Sequence, residues 1–368
     1  MVTKRKSRCL EVRKSPDLRD EMYTAKIRRK RFITRVAFMA FVLLSVYSLT
    51  TGSFDIEVKD IILALFKKGN KLHQTILIGS RLPRLAATIL TGAILAVAGA
   101  VMQCVLNNPL ASASTLGVSH GAAFGAALGI VVFGGGVVNS TSDTALEINN
   151  PYIVTLCAFV FGSATAVGIL AVSQLKKGID AAGLILAGVA ISALFAGGST
   201  LLQYFADETK LSAVVFWTFG NLGCADWQAV KILGTVFLAV LAYTSFNRWN
   251  YNAMCGGSET AKSLGVDVKN FMLFNMLIAS LASSVAVSFV GIIGFIGLIS
   301  PHITRLLTGN DYRYLIPVSA VMGALILIAA DLFARMIIAP VILPIGAVTS
   351  FLGGPVFLFL LIKGGLHK

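Results

Sequence analysis

The chain has 368 residues, of which 56% are apolar and only 13% charged, with a formal net charge of +14. A soluble globular chain carries about 25% charged residues to cover its surface, so a soluble fold is excluded, and such hydrophobicity also excludes disorder. The five scattered cysteines (Cys9, Cys104, Cys157, Cys224, Cys255) form neither a disulfide framework nor paired metal-ligand spacing, which leaves a polytopic membrane protein.

Between Met1 and Arg35 stand 13 Lys/Arg and four acids, a net +9, so the basicity is mostly an N-terminal tail. Such a tail beside an apolar span predicts cytoplasmic retention and contact with membrane lipid. Nucleic acid is not expected as a partner, because the basic run carries no series of interleaved aromatics. The sequence therefore divides into a basic cytoplasmic tail, 1–32, and one transmembrane domain, 33–368.

A helix needs about 20 mostly apolar residues to cross the hydrocarbon core. Ten stretches fit: 33–51, 85–105, 116–134, 152–173, 182–204, 228–247, 271–290, 293–307, 315–334 and 345–363. The first follows a long charged tail and no small-residue cleavage site follows it, so it reads as an anchor. With the N-terminus cytoplasmic, ten crossings return the C-terminus to the same side, and 22 of the 31 Lys/Arg then fall inside, as the positive-inside rule requires.

After the first span, the polar segment Ser53 to Ser80 contains amphipathic stretches that suit the membrane surface. Arg81-Leu82-Pro83-Arg84 follows at the predicted outer start of the second span, with Pro83 suited to a first helical turn. A helix dipole disfavours cations there, so the arginines require an anionic partner: by charge alone, lipid phosphate and acidic groups of a docked protein are equal candidates. Within the spans, Gly92, Ala96 and Gly99, then Gly121, Gly125 and Gly129, then Gly183 and Ala187 repeat at helical spacing. Small residues so spaced allow close helix packing; lining a wide path is the alternative. Asn108-Pro109 predicts a turn between the second and third spans. Gly256 to Gly265 reads as a short exposed helix capped by Ser258 and closed by Gly265, a candidate contact for a soluble partner. Near the end of the ninth span, Asp331 and Arg335 stand four apart and can pair.

No G-x-x-x-x-G-K-[ST], H-E-x-x-H or G-x-S-x-G occurs, so the chain has no nucleotide-phosphate loop of that kind and none of the common hydrolase motifs. None of the four histidines is spaced as a metal pair. An ion-coupled secondary transporter would place carboxylates or broken helices at the midplane, and within the ten stretches the sole carboxylate, Asp331, lies near the end of the ninth rather than in a span interior.

In order along the chain, Arg81-Leu82-Pro83-Arg84, Ala98-Gly99-Ala100-Val101-Met102-Gln103, Asn108-Pro109-Leu110-Ala111, Leu116-Gly117-Val118-Ser119-His120-Gly121-Ala122, Leu186-Ala187-Gly188-Val189-Ala190, Gly291-Ile292-Ile293-Gly294-Phe295-Ile296-Gly297, Pro301-His302-Ile303-Thr304-Arg305, Ala330-Asp331-Leu332-Phe333-Ala334-Arg335 and Gly353-Gly354-Pro355-Val356-Phe357 resemble the FecCD/BtuC-like permeases of bacterial ABC importers for iron-siderophores, haem and cobalamin. The resemblance covers about Arg81 to Lys363. It implies an all-α subunit of about ten transmembrane helices in the bacterial cytoplasmic membrane, paired with a second copy or paralogue. It also implies two cytoplasmic ATP-binding subunits and a periplasmic or lipid-anchored solute-binding protein. No cofactor is implied in this chain; ATP and Mg belong to the partner ATPases.

The resemblance further implies docking of the binding protein at Arg81, Arg84 and Arg335, and ATPase coupling at Gly257, Glu259, Ala261, Leu264 and Gly265. A path or gate is implied at Gly183, Ala187, Gly188 and Ala190. The implied cargo is a ferric siderophore or similar iron complex, with haem or cobalamin as alternatives. Leu106-Asn107 and Ser112-Ala113-Ser114 depart from the family pattern on the inner loop.

Overall fold

The computed structural model describes residues 16–52, 56–65, 70–135, 151–175, 181–339 and 341–365. Among these residues the chain is helical, with no strand. Every one of the ten apolar stretches coincides with a helix. Among the described residues seven lie in helices long and apolar enough to cross a membrane; the helices Val118–Val131 and Ile296–Thr308 are shorter, and the tenth stretch lies in the 21-residue helix Ile345–Gly365.

Helix α1 is Pro16–Thr50 and runs unbroken through the expected tail boundary at residue 32, while the first fifteen residues of the tail lie outside the described residues. Helix α2, Val58–Leu65, buries Ile61 and Ala64 with Ile56 and Leu77 and leaves Val58 and Ile62 exposed, as an amphipathic segment should.

Helix α3, Lys71–Ile76, passes through a wide π turn at Leu77–Arg81 directly into α4, Leu82–Val105. The second span therefore does not begin at Arg81, as expected, but is the last part of a 35-residue helix. Pro83 explains the turn. It has no N–H to donate and its ring crowds the preceding carbonyl, and the ladder widens just before it, with the Leu82 N–H reaching back to the Leu77 carbonyl.

The remaining helices are α5 (Val118–Val131), α6 (Pro151–Leu175), α7 (Ala181–Tyr204), the short α8 (Glu208–Thr218), α9 (Trp227–Phe246), α10 (Arg248–Cys255), α11 (Ser258–Ser263), α12 (Val268–Val290), α13 (Ile296–Thr308), α14 (Tyr312–Met336) and α15 (Ile345–Gly365). Helix α4 is the centre, packed against α9, α12, α13 and α14. Its most apolar window is 83% buried; that of α7 is 11% buried.

Glycine sets these approaches. A methyl group on Gly92 would lie 2.5 Å from the Gly323 carbonyl oxygen on α14, and one on Gly99 would overlap the Gly297 carbonyl on α13. Gly121 and Gly125 meet the α6 backbone at Phe161 and Cys157 in the same way. Small residues at helical spacing thus serve helix packing in these spans, the contact that membrane helices need because lipid offers no hydrophobic drive between them.

Gly99→Val should lower the unfolding midpoint of the detergent-solubilised chain, at a cost on the order of 1–3 kcal/mol for overpacking. Gly79→Ala, with nothing within 4 Å of the added carbon, should leave the midpoint unchanged.

Candidate functional site

Two polar constellations lie at opposite ends of α4 and α14. The first gathers Arg81, Arg84, Asp331 and Arg335. Arg84 donates from Nη2 and Nε to Oδ1 of Asp331, at 2.7 and 3.1 Å. Arg335 Nε stands 3.0 Å from the other oxygen, Oδ2, as an ion pair out of hydrogen-bond alignment. The Asp331 side chain is 3% exposed, those of Arg335 and Arg84 12% and 17%.

Arg335 also donates to the Thr51 carbonyl (3.0 Å) and to Ser48 Oγ (2.8 Å), and Arg81 donates from Nη1 to the carbonyls of Leu49 and Thr50 (2.6 and 3.1 Å). These carbonyls close the C-terminus of α1, where the unpaired oxygens and the helix dipole attract cations. The structure thus supplies anionic partners that the sequence did not reveal: one carboxylate 247 residues from Arg84, and the end of another helix. Arg81 is buried there. With the helix start moved to Lys71, the dipole objection to cations at Arg81 and Arg84 also falls away.

At the opposite end, α11 follows α10 across Gly256 and Gly257. Ser258 is not its cap. Gly257 is the residue before the helix, at φ 100°, a backbone conformation that suits glycine. The C-terminus closes as expected: Gly265 adopts φ 84° and donates to the Lys262 carbonyl at 2.9 Å, while Val266 donates to that of Ala261 at 3.0 Å. This paired closure is a Schellman motif. Ala261 is fully buried, whereas Glu259 and Lys262 pair at 2.9 Å in the open and Leu264 is 67% exposed. The helix turns its small residue inward and presents a charged pair and an exposed leucine outward.

What holds α11 is a node the sequence did not signal. Asn252 on α10 accepts from the Tyr312 N–H at 2.8 Å and donates to Asp311 at 3.3 Å. Asp311 caps α14, and its hydrogen bonds from Arg313 keep its carboxyl below the usual range. Buried Tyr251 and Tyr312 stack at 5.3 Å; Tyr312 donates to the Ala100 carbonyl on α4 at 3.1 Å, and Tyr251 to Asn275 on α12. Lys30 of α1 reaches Asp311 at 3.8 Å and lies over the Tyr314 ring. Beside α11, a cleft of about 660 Å³ opens between Gly265, Asp267 and Asn270 on one side and Gln174 and Asn250 on the other.

The expected path residues lie on α7. Gly188 is buried, and a methyl there would meet Leu116 at 3.0 Å; Gly183 and Ala187 are half-buried and Ala190 is exposed. Gly188 is therefore a packing contact in this subunit, and Ala190 shares the open side of α7 with Leu186, Val189 and Leu194. Among the described residues no group of three or more His, Cys, Asp or Glu could hold a metal ion.

The model of the FecCD transport family matches residues 40–363. A protein of Methanocaldococcus jannaschii assigned as an ABC transporter permease is 48% identical over 93% of this chain and 97% of its own length. The permease of an iron(3+)-hydroxamate import system of Bacillus subtilis is 36% identical, over 85% and 78% of the two chains. The permease of a vitamin B12 import system of Vibrio parahaemolyticus is 33% identical, over 88% and 93%. Among solved structures, an inward-facing one assigned to a metal-chelate type ABC transporter superposes with a TM-score of 0.78 at 28% identity, covering 90% of this chain and 99% of the other.

Removing the shared carboxylate leaves two largely buried guanidiniums without a counter-charge. Asp331→Ala should therefore destabilise the solubilised chain by about 3–5 kcal/mol, read as a lowered thermal midpoint. Glu259→Ala, which breaks an exposed pair, should cost about 0–1 kcal/mol.

Proposed function

The chain belongs to the FecCD transport family, and we propose that, paired with a second copy or a related chain, it forms the path by which an ABC importer carries a ferric siderophore or similar iron complex. At the coarser level it is a multi-pass membrane permease of that importer class, a transport component rather than an enzyme. The relatives act on cargoes as different as an iron-hydroxamate complex and vitamin B12. A cobalamin or haem remains the second reading of the cargo, and the iron complex is favoured by the metal-chelate class of the structural neighbour.

The observation that carries the proposal is α11. A chain that otherwise spends little sequence outside apolar helices builds a short polar helix, closes it at both ends with left-handed glycines, and exposes Glu259, Lys262 and Leu264. Beneath it, Ala261 is sealed and the Tyr251–Asn252–Tyr312 node ties α10 to α4, α12 and α14. In this reading the partner ATPases, which hold ATP and Mg, press on α11, and the load passes into the packed interior without being absorbed by a loose loop. The two permeases then change which side is open, a shift that requires each state to have its own contacts with the motor. A path of small and apolar side chains holds a large polar cargo weakly, so release is possible and capture belongs to the binding protein.

In this reading the arginine end faces the binding protein, outside the cytoplasmic membrane, and both termini lie inside. Two guanidiniums share the charge of Asp331, so the cluster keeps an excess positive charge that suits acidic groups on the docking surface, and Arg84 and Arg335 are its partly exposed members. Arg81 supports them from below through α1. A secondary transporter is disfavoured because Asp331, the carboxylate within the ninth apolar stretch, is held between two arginines.

Ala261→Pro removes the hydrogen bond from the Ala261 N–H to the Gly257 carbonyl and breaks the helix, at about 3 kcal/mol or more. Reconstituted with the ATPase partners, this variant should insert normally, hydrolyse ATP and lose uptake; normal coupling would reject the role of α11. Wild-type uptake should require ATP, and uptake driven by an ion gradient alone would reject the importer reading. Binding-protein affinity should fall as salt rises from low to physiological strength, because partly exposed pairs are screened over about 8–10 Å.

A further inference from the structure

Cys104 and Cys255 take no part in the transport reading, yet the fold brings them together from 151 positions apart. Cys104 ends α4, is 5% exposed, and directs its thiol toward the Tyr251 carbonyl at 3.5 Å. Cys255 ends α10 and is exposed. Their sulfurs are 4.0 Å apart, a gap that side-chain rotation can close to a disulfide bond of about 2.05 Å. Cys224 stands beside Arg84 at the opposite end of the subunit, and Cys157 on α6 meets α5; neither faces a second thiol among the described residues.

The two cysteines are chemically unequal. The hydrogen-bonded contact with Cys104, together with the Arg305 charge, holds the Cys255 thiol below its ordinary range, so the exposed member is the one that ionises more readily. The buried member stands behind it. An exposed attacking sulfur with a second sulfur in reach is the arrangement of a thiol–disulfide exchange centre.

We propose that Cys255 and Cys104 form a redox modification site that reacts with small-molecule disulfides and, once oxidised, staples α4 to the end of α10 and arrests α11. The Cys255 thiolate attacks one sulfur of the small disulfide; that S–S bond breaks, and the first small thiolate leaves. Cys104 then attacks Cys255 Sγ and gives up its proton to the departing second thiolate. The protein gains one disulfide and the small molecule is reduced to two thiols. Only Gly256 and Gly257 separate the staple from α11, and both donate backbone hydrogen bonds into the end of α10. On the end assigned to the cytoplasm, the resting state is the dithiol. The arrest rests on the reading of α11 as the ATPase contact, whereas the exchange chemistry does not.

The test treats the full chain in detergent with oxidised glutathione and maps non-reduced peptides by mass. The expected product joins the Cys104 and Cys255 peptides. Cys104→Ser should instead accumulate a stable glutathione adduct on Cys255, and Cys255→Ser should leave Cys104 unmodified. An adduct that persists on wild-type Cys255 without a cross-link would overturn the site, as would modification of Cys224 with this pair untouched. In the assembled transporter, oxidation should abolish ATP-driven uptake, dithiothreitol should restore it, and the double serine variant should be immune. A cross-linked transporter with full uptake would overturn the arrest. Failure of the coupling reading shows separately, as normal coupling in Ala261→Pro.

Discussion

Backbone-to-backbone contact between α4 and its neighbours α13 and α14 is the constraint from which the rest of the subunit follows. In lipid, apolar side chains gain no hydrophobic free energy by leaving acyl chains for one another, so association must come from close packing and from polar bonds. Gly92 against Gly323 and Gly99 against Gly297 remove the side chains that would hold the helices apart. Once the backbones are this close, the ends of α4 and α14 are fixed relative to each other, and polar groups at both ends can be placed with short-range accuracy. Arg84 then finds Asp331 at one end, and Tyr312 finds the Ala100 carbonyl at the other. Neither bond would form if the helices were separated by the width of a leucine.

The arginine cluster shows how a membrane end can hold several cations at once. Two of them divide a single carboxylate and two draw on the free carbonyls of α1, so charge is met partly by a full anion and partly by a helix terminus. The same bonds fasten α1, which otherwise presents a broad apolar face to lipid. At its other end α1 is held by Lys30, between Asp311 and the ring of Tyr314. A peripheral helix is thus tied to α14 at two points about one membrane thickness apart, which explains how it remains seated with little buried surface of its own.

Features that depend on neighbours in sequence were legible. Run length located all ten apolar helices, glycine spacing located the tight contacts of α4 and α5, and the Gly-Ser-Glu pattern located α11. Ser258 was misread as a cap because its residue type favours that position, whereas a left-handed turn before the helix admits Gly257. Pro83 suits a first helical turn, yet a π turn accommodates the same missing N–H without ending the helix. What stayed hidden depends on tertiary contact: Asp331 as the partner of Arg84, the α1 carbonyls under Arg81, and the Tyr251–Asn252–Tyr312 node. No local pattern marks an asparagine that will cap a helix sixty residues away.

Uneven packing also decides where the subunit can yield. The bonds of Asn252 and Tyr251 behind α11 lead into α4, α12 and α14, the deeply buried helices. Such elements move as a body, since separating them exposes polar groups and opens voids in a close-packed interior. Helix α7 has few internal neighbours and one buried glycine contact, Gly188 on Leu116, near its tail-side end. Relative motion between the α4–α14 body and α7 therefore disrupts little packing. The rigidity around α4 and the looser packing of α7 are two sides of one distribution of buried surface.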